Sequence, residues 1–409
     1  GWDRETVLGK VRVEGRERLS EALLQNRGVI LLGFHFGNWE LMSLAHSAMG
    51  YSTHVIGRAL DNPLLDRLVN RQRERFGSVI INSKDPSSLR QVLSALHRKQ
   101  IVGFLIDQNV VGDRGVFVDF FGRLAYTHKV VALIAQKTGA PVVPMYMRHE
   151  PGGIHRLSYE APVPLVDTGN RVRDIVVNTH RLTKAVEAVI RRYPEEWLWM
   201  HDRWKKQPRD ARPAVFLDRD GTVTREAGYI RDPNHLELIP GSASAIRRLK
   251  EAGLKVIVIT NQSGVARGYY PESQVRAVND RMLSLLSAEK AGVDEVYYCP
   301  HHPTEGAGPF TVDCGCRKPE PGMVYEAASD GTIDLSRSFV VGDKLTDMEL
   351  AHRIGATGIL VKTGYGEEQL TQTAELEKNP ASRPDAVERD LEAAAERILG
   401  RGAGRRTGR

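Results

Sequence analysis

The sequence predicts an α/β protein of two domains. Its 409 residues suffice for two or three domains that each bury a core. In both halves, short apolar segments rich in β-branched residues alternate with helix-forming segments, which is the pattern of an α/β layer fold. A polar stretch with two prolines separates the halves and is typical of a linker. We therefore predict domains at 1–207 and 214–390, a linker at 208–213, and a helical end with a disordered basic tail at 391–409.

In the first half, buried strands are predicted at 28–33, 102–106 and 141–146, because each is a short apolar run bounded by Gly, Pro or polar residues. Helices are predicted between them, around 63–76, 86–98 and 128–138. In the second half, strands are predicted at 214–217, 255–260 and 339–342, and each is followed directly by polar residues.

Composition places the chain among globular proteins, with 41% hydrophobic and 26% charged residues. No run approaches the roughly 18–20 apolar residues that span a bilayer, and no signal peptide is visible. We therefore expect a cytoplasmic protein, associated with the cytoplasmic face of the inner membrane. Residues 1–210 carry 31 Lys and Arg against 22 Asp and Glu, which gives +9, and the remainder of the chain has −3. The basic half suits an acidic partner or an anionic surface, or is a solvated face; no nucleic-acid motif accompanies it.

The segment His35–Glu40 (HFGNWE) follows the first predicted strand and begins a helix. A neutral imidazole can take a proton from a hydroxyl near pH 7, and a carboxylate on its other nitrogen fixes the tautomer. Five residues apart at a helix start, the two side chains could meet. A surface or capping contact between His35 and Glu40 is the simpler alternative from spacing alone.

The HFGNWE segment resembles the glycerolipid acyltransferase superfamily, and later blocks resemble its lipid A late acyltransferase branch. These blocks are 58–66, 107–109, 118–127 and the tryptophan-rich end 197–205, in the order that family shows. The resemblance implies an acyltransferase-type α/β domain with His35 as general base and Glu40 orienting it. It also implies an acyl carrier protein or acyl-CoA as donor and a hydroxyl of a lipid A precursor at the membrane surface as acceptor.

Cationic side chains near this segment are candidates to hold the anionic substrate or the oxyanion. Arg58 and Arg71 are the predicted contacts to the substrate, and Arg73 and Arg75 are alternatives to Arg71. For Asp107 and Gln108, strand-end hydrogen bonding and substrate contact both remain open. The family usually has a membrane-anchoring helix and more sequence before its histidine, so the first domain is expected to be incomplete at its N-terminus.

In the second half, four polar segments come in a fixed order after predicted strands. They are Asp218 with Asp220, then Thr260–Gln262, then Arg317 with Lys318, then Asp343. Ligands of open α/β sheets bind at the carboxyl ends of the strands, so these side chains are expected to meet. A lone Asp-x-Asp is more often a surface turn, but four such segments in order favour a phosphoryl-transfer site.

Each residue type suits one role in that chemistry. Asp218 can attack phosphorus, and Asp220 can protonate the leaving oxygen and then activate water. The carboxylates of Asp218 and Asp343, with the backbone carbonyl of Asp220, would supply the oxygen ligands of Mg²⁺. Thr260 and Lys318 would bind phosphoryl oxygens. Asp347 either aids the metal or caps the next helix.

The three cysteines lie within 18 residues. An odd, clustered set argues against a disulfide framework. Cys299, His301, Cys314 and Cys316 make a C-x-H and C-x-C pair, which is a Cys3His set for structural Zn²⁺. Buried free thiols beside an exposed histidine are the alternative.

This second set resembles the haloacid dehalogenase superfamily, which implies a Rossmann-like domain with a zinc loop. The zinc-loop variant resembles the D-glycero-D-manno-heptose 1,7-bisphosphate 7-phosphatases of the histidinol-phosphatase family. Asn261, Gln262, Arg267 and Arg317 are candidate contacts to phosphate or sugar. The two resemblances together imply a bifunctional enzyme of lipopolysaccharide biosynthesis. The alternative is a histidinol-phosphate phosphatase fused to an acyltransferase-like module that only binds membrane or carrier.

Overall fold

The chain forms two compact units. A computed structural model describes residues 3–110, 112, 114–206, 211–306, 308–371 and 377–403. One unit comprises Gly1–Leu165 with Asn178–Gln207, and the other comprises Val166–Val177 with Pro208–Arg409. The division assigns a short segment of the first sequence half to the second unit. Residues 208–210 of the predicted linker and 404–409 of the predicted tail lie outside the described residues.

The first unit is a mixed α/β layer structure. Its helices are α1 Arg4–Gly9, α2 Arg16–Leu24, α3 Trp39–Ala48, α4 Pro63–Arg73, α5 Ser88–His97, α6 Val130–Thr138 and the later part of α7 Arg171–Arg192. Its strands are β1 Val11–Glu14, β2 Val29–Gly33, β3 Thr53–Gly57, β4 Val79–Asn82, β5 Ile101–Leu105, β6 Gly115–Phe120, β7 Arg123–His128, β8 Val142–Glu150 and β9 Ile154–Tyr159.

Seven of these strands form one sheet, in the order β1-β9-β8-β2-β5-β3-β4. All neighbours are parallel except β8 and β9, which pair antiparallel. Strand β2 is buried along its whole length, and its side chains alternate between two apolar clusters. Ile30 and Leu32 pack in one cluster, while Val29 and Leu31 pack in the other. Covered faces explain why β2 is a continuous apolar run.

The second unit is a doubly wound α/β structure. Its strands are β10 Ala214–Leu217, β11 Lys255–Asn261, β12 Glu295–Cys299, β13 Phe339–Gly342, β14 Thr357–Val361 and β15 Ala386–Glu388. Its helices are α8 Ser242–Glu251, α9 Glu272–Ala288, α10 Gly322–Ala328, α11 Leu345–Arg353, α12 Gly366–Gln369 and α13 Leu391–Ala403.

The six strands run parallel in the order β12-β11-β10-β13-β14-β15. The chain moves from β10 outward to β12, and then returns to the other side of β10 with β13. The order therefore reverses between β10 and β13, and their carboxyl ends border the crevice where such sheets bind ligands. Val215, Leu217 and Val341 bury one face of this centre in an apolar cluster.

The predicted α/β class and two-unit organisation are confirmed. The strands predicted at 28–33, 102–106 and 141–146 correspond to β2, β5 and β8, and the three predicted helices to α4, α5 and α6. The predicted domain boundaries remain predictions. Among the described helices, none combines the length and the apolar character that a membrane crossing requires.

Candidate active sites

The first site lies at the carboxyl ends of two neighbouring parallel strands, β2 and β5. His35 follows β2 and Asp107 follows β5, 72 residues further on. The Nδ1 atom of His35 lies 2.8 Å from Asp107 Oδ1, and the backbone N–H of His35 donates to Asp107 Oδ2 at 3.0 Å. A carboxylate can only accept, so Nδ1 carries the proton. Asp107 thus fixes both the backbone and the ring of His35.

The other ring nitrogen faces a donor. The side-chain amide Nε2 of Gln108 lies 3.2 Å from His35 Nε2. An amide nitrogen donates, so Nε2 presents its lone pair, which is the form in which a histidine takes up a proton. The strand-end residues Asp107 and Gln108 therefore hold the two nitrogens of one imidazole.

Asp107 is buried, with 5% of its surface exposed. Burial raises the pKa of this carboxyl, but the hydrogen bond and charge of His35 and the hydrogen bond from Trp197 outweigh that effect, so the pKa is lowered. Trp197 Nε1 donates to Asp107 Oδ2 at 2.9 Å. The carboxylate is therefore held charged beside the imidazole.

The residues on either side of Trp197 form backbone hydrogen bonds with the segment His35–Gly37. Gly37 N–H donates to the carbonyl of Glu196 at 2.8 Å, and Leu198 N–H donates to the carbonyl of His35 at 3.0 Å. Gly37 has φ +51°, and a Cβ there would lie 2.0 Å from the carbonyl oxygen of Met147. A side chain at this position is therefore excluded, which accounts for the glycine in HFGNWE.

Glu40 does not orient His35, contrary to the expectation from spacing. Its carboxylate receives two hydrogen bonds from the guanidinium of Arg73 on helix α4, one of 2.9 Å from Nε. The reason is that Glu40 lies in the first turn of α3 and faces α4, while Asp107 occupies the Nδ1 side of the imidazole. The hydrogen bond to Glu40 raises the pKa of Arg73 by more than burial lowers it, so the net effect is a raised pKa.

Among the candidate arginines, Arg73 is therefore the one paired with Glu40. Arg71 is exposed on helix α4, and Arg58 is exposed with its Nη2 atom 3.7 Å from Asp61. Substrate contacts by Arg58 and Arg71 remain predictions.

The second site lies at the reversal point between β10 and β13. Asp218 follows β10, Asp343 follows β13, and Asp347 lies in the first turn of α11. One carboxylate oxygen from each of the three lies within 4.8 Å of the others, and all three residues are buried. A Cβ on Gly221, which has φ +82°, would lie 2.2 Å from Asp343 Oδ2, so that glycine leaves room for the cluster.

Lys318 holds two of these carboxylates together. Its Nζ atom lies 2.7 Å from Asp218 Oδ1 and 2.6 Å from Asp347 Oδ1, and donates to the carbonyl of Ile259 at 3.0 Å. Burial raises the pKa of Asp218, but Lys318 and Lys344 outweigh it and lower the pKa. The predicted nucleophile is thus held ionised in a buried site.

Asp343 differs from Asp218 in its electrostatics. Burial, and then the charge of Asp218, raise the pKa of Asp343 to about 8. Its Oδ2 accepts from the Tyr365 N–H at 2.9 Å, while its Oδ1 is buried without a hydrogen bond. The nearest cation to this oxygen is Lys344 Nζ, 3.8 Å away. A buried oxygen without a hydrogen bond, beside two further carboxylates, fits a hard divalent cation such as Mg²⁺.

The carboxylate of Asp220 is not part of this three-carboxylate cluster. It accepts two hydrogen bonds of 2.9 Å from Arg219 and one of 2.8 Å from Gln262 Nε2. Gln262 Nε2 also donates to Thr260 Oγ1 at 2.9 Å. The Asp347 carboxylate accepts from the Lys344 N–H at 3.2 Å, so Asp347 both caps helix α11 and joins the acidic cluster.

Asn261 lies against Lys318 in a reciprocal pair. The backbone N–H of Lys318 donates to Asn261 Oδ1 at 2.9 Å, and Asn261 Nδ2 donates to the carbonyl of Lys318 at 3.1 Å. The side-chain amide of Asn261 pairs with both the backbone N–H and the backbone carbonyl of Lys318. Asn261 therefore positions Lys318, and its contact with phosphate remains a prediction.

The cysteine cluster has the arrangement of a closed metal site. Cys314 Sγ lies 3.5 Å from Cys299 Sγ and 3.2 Å from Cys316 Sγ, and His301 Nδ1 lies 3.6 and 3.5 Å from Cys299 and Cys316. A tetrahedral zinc with bonds of about 2.0–2.3 Å spaces its ligands by roughly 3.5–3.8 Å. All four residues are buried, so the set fits Zn²⁺.

Two arginines lie around this cluster. Arg317 Nη1 donates to the carbonyl of His301 at 3.4 Å, and Arg267 pairs with Glu305 and lies 3.5 Å from His302 Nε2. Their contacts to phosphate or sugar remain predictions.

A third arginine, Arg173, belongs to the second unit although it lies in the first half of the sequence. Arg173, in the segment Val166–Val177, is buried, forms an ion pair with Glu326, and donates to the carbonyl of Tyr298 at 2.8 Å. Burial would lower the pKa of Arg173, but Glu326 and then Cys316 raise it. No local pattern around Arg173 signals this role.

The two sites define two classes of protein. The His35–Asp107 pair of the first unit suits a general-base transferase, and the Asp218–Lys318 pair of the second suits a haloacid dehalogenase-type hydrolase. Residues 1–206 match the bacterial lipid A biosynthesis acyltransferase family, and residues 315–394 match a HAD-hydrolase-like family.

The second unit is similar to several heptose-bisphosphate phosphatases. The D-glycero-D-manno-heptose-1,7-bisphosphate 7-phosphatase of Thermosynechococcus vestitus is 47% identical over 191 residues, which cover 46% of this chain and 95% of that protein. The D-glycero-beta-D-manno-heptose-1,7-bisphosphate 7-phosphatase of Escherichia coli K12 is 44% identical over 37% of this chain and 80% of that protein. A crystal structure of D,D-heptose 1,7-bisphosphate phosphatase from B. bronchiseptica, complexed with magnesium and phosphate, is 34% identical with a TM-score of 0.41, and covers 46% of this chain and 99% of that chain.

The chain belongs to the bacterial lipid A biosynthesis acyltransferase family through its first half, and to the heptose-bisphosphate phosphatase family through its second half.

Proposed function

We propose that the chain is a bifunctional enzyme of lipopolysaccharide biosynthesis. The second unit removes the 7-phosphate of D-glycero-D-manno-heptose 1,7-bisphosphate, and the first unit transfers an acyl chain from a thioester to a hydroxyl of a lipid A precursor. The observation that supports the phosphatase activity most strongly is the buried Asp218–Lys318 pair. It keeps a carboxylate ionised at the place where an open α/β sheet binds its ligand.

The phosphatase reaction uses two carboxylates in turn. Asp218 attacks phosphorus, the bond from phosphorus to the sugar oxygen breaks, and Asp220 gives that oxygen a proton. Water then gives a proton to Asp220 and attacks the same phosphorus, which releases Asp218 and inorganic phosphate. Gln262 and Arg219 hold Asp220 in place for both steps.

Magnesium is the metal proposed for this site, held by the Asp218 and Asp343 carboxylates and the Asp220 carbonyl, with Asp347 beside them. When bound, it neutralises charge on the phosphoryl group. Lys318 and Thr260 would bind the phosphoryl oxygens and offset their charge. Zinc is proposed for Cys299, His301, Cys314 and Cys316 in a structural role, which orders the loop before Arg317 and Lys318.

The acyl transfer uses His35. Its Nε2 takes the proton of the acceptor hydroxyl, the oxygen attacks the thioester carbonyl, the carbon–sulfur bond breaks, and the thiolate takes the proton from the ring. Asp107 holds the Nδ1–H tautomer and stabilises the imidazolium. The donor is an acyl carrier protein or acyl-CoA, and the acceptor lies at the cytoplasmic face of the inner membrane.

The phosphatase proposal is tested on the full chain with D-glycero-D-manno-heptose 1,7-bisphosphate and, in parallel, histidinol phosphate. We expect Mg²⁺-dependent phosphate release from the heptose substrate and loss of release in Asp218→Asn, while Asp280→Asn on the exposed face of α9 is unchanged. Faster release from histidinol phosphate would reject the heptose assignment.

The acyltransferase proposal is tested by acylation of a lipid A precursor with acyl carrier protein and CoA thioesters. His35→Ala is expected to abolish transfer, and His97→Ala, an exposed histidine of α5, is the matched control. Equal transfer by His35→Ala and the wild-type chain would contradict the assignment and favour a module that only binds membrane or carrier.

A further inference from the structure

Helix α4, Pro63–Arg73, is oriented with its leucines toward solvent. None of its eleven residues is buried. Leu64, Leu65 and Leu68 are 67%, 52% and 56% exposed, and Leu60 in the preceding loop is 45% exposed. At 100° per residue, the three helical leucines lie within one 100° sector. A surface helix normally turns such a stripe toward the core.

The opposite side of α4 carries the polar contacts. Arg73 forms its ion pair with Glu40, and Asp66 accepts from the Leu60 N–H at 2.8 Å and from Asn70 Nδ2 at 3.1 Å. Of these contacts, the Arg73–Glu40 ion pair joins α4 to α3, and the three leucines take no part in it. A contiguous exposed apolar face of this kind marks an interaction surface.

Cations flank the leucine face. Arg67 and Arg71 are exposed, and on the helix they lie within about 60° of Leu64. The stretch 58–75 contains five arginines and three acidic residues, within a sequence half of net charge +9. Leucines edged by arginines are the composition of a helix that lies in the interface of an anionic bilayer.

We propose that the α4 leucine face docks the first unit on an anionic lipid bilayer. Insertion of Leu64, Leu65 and Leu68 removes apolar surface from water, while Arg67 and Arg71 stay at the level of the lipid phosphates. Because Arg73 on the same helix binds Glu40, five residues after His35, the docked helix places the His35 site at the membrane surface. The choice of a lipid surface rests on the proposed acyl transfer to a lipid, but docking itself involves no turnover.

The bilayer is favoured over an acidic protein partner by the kind of side chain exposed. A carrier protein that binds through charge would use the arginines and leave the leucines in contact with water. Three leucines that are each more than half exposed offer a larger gain on entering lipid, at about 25 cal/mol per Å² of apolar surface.

The test is sedimentation of the full chain with vesicles of phosphatidylethanolamine and phosphatidylglycerol, and with vesicles of phosphatidylcholine alone. We expect binding to the anionic vesicles that weakens with salt, and weaker binding to the neutral ones. The double variant Leu64→Ser/Leu68→Ser is expected to lower the partition coefficient at least about tenfold.

The matched control is Leu24→Ser/Leu89→Ser, which removes two other exposed leucines, 83% and 53% exposed, on helices α2 and α5. Its vesicle binding should equal that of the wild-type chain. Acylation of precursor dispersed in detergent should be retained by Leu64→Ser/Leu68→Ser, so that loss of docking is distinguishable from loss of the proposed activity.

Absence of vesicle binding by the wild-type chain, or an equal loss in both double variants, would overturn the proposal. Unchanged vesicle binding with weakened binding of acyl carrier protein in Leu64→Ser/Leu68→Ser would also overturn it, and would assign the face to a protein partner.

Discussion

His35 and Asp107 are joined twice, by a ring hydrogen bond of 2.8 Å and a backbone hydrogen bond of 3.0 Å. His35 follows β2 and Asp107 follows the adjacent strand β5, so the strand order fixes the orientation of the imidazole. Glu40, which is five residues from His35, instead pairs with Arg73. The imidazole of His35 is therefore oriented by the neighbouring strand end and not by the helix that follows it.

Asp107→Asn is expected to lower kcat for acyl transfer by about 10²-fold or more, because an amide nitrogen can donate to Nδ1 and stabilise the wrong tautomer. Glu40→Gln should act mainly on KM, since it loosens Arg73 and leaves the His35–Asp107 pair intact. Initial rates over a range of acceptor concentrations separate the two. A larger loss of kcat in Glu40→Gln than in Asp107→Asn would contradict this division of roles.

Asn261→Ala is expected to reduce phosphate release by roughly 10–100-fold, because both hydrogen bonds that hold the Lys318 backbone are lost. Asn261→Asp keeps an acceptor for the Lys318 N–H and should recover part of the rate. The measurement is kcat and KM for phosphate release. If Asn261 were a direct phosphate ligand, the aspartate would repel the substrate and be the worse variant.

Cys314→Ser is expected to reduce bound zinc and to lower the thermal stability of the second unit, since structural zinc contributes directly to folding. His302→Ala is the control, because His302 adjoins the cluster without belonging to it. Metal content by mass spectrometry and unfolding by calorimetry are the measurements. Full zinc content in Cys314→Ser, or zinc loss in His302→Ala, would show that the ligand set is different.

Acid is expected to destabilise the first unit through His46. This side chain is fully buried, and burial lowers the pKa of His46 from 6.5 to about 3. Between those values the unfolded chain binds a proton that the folded chain does not, so stability falls as the pH falls. At pH 5 the loss relative to pH 7.5 is about 2 kcal/mol.

Urea unfolding at several pH values tests the role of His46, with His46→Leu as the comparison. The leucine loses the 2.8 Å hydrogen bond to Thr53 at every pH, but removes the titration. Its stability should depend less on pH between 7.5 and 5 than that of the wild-type chain. Parallel curves for the two proteins would exclude His46 as the source.

The sequence predicts what each strand end carries, but not which ends meet on the first sheet. The short apolar runs before Asp218 and Asp343 predict that both lie at strand ends, and both do. Spacing along the chain predicts Glu40, the nearer carboxylate, as the partner of His35. The true partner, Asp107, requires the adjacency of β2 and β5, a pairing that no local pattern encodes.

Arg173 illustrates a further limit of sequence reasoning. It lies more than 120 residues from Tyr298 and more than 150 from Glu326, and the positions around it read as an ordinary amphipathic helix. A buried ion pair over that separation depends on tertiary structure alone. The zinc ligands are predictable by contrast, because their spacing along the chain is itself characteristic of the site.

The segment Val166–Val177 belongs to the second unit although it precedes 208–213, where the two halves of the sequence meet. A protease cut or a recombination breakpoint in 208–213 would yield a second fragment that lacks Arg173. Glu326, with a side chain only 13% exposed, would then remain as an unpaired acid in the interior. A substitution in 166–177, within the acyltransferase half of the sequence, can therefore alter the stability of the phosphatase unit.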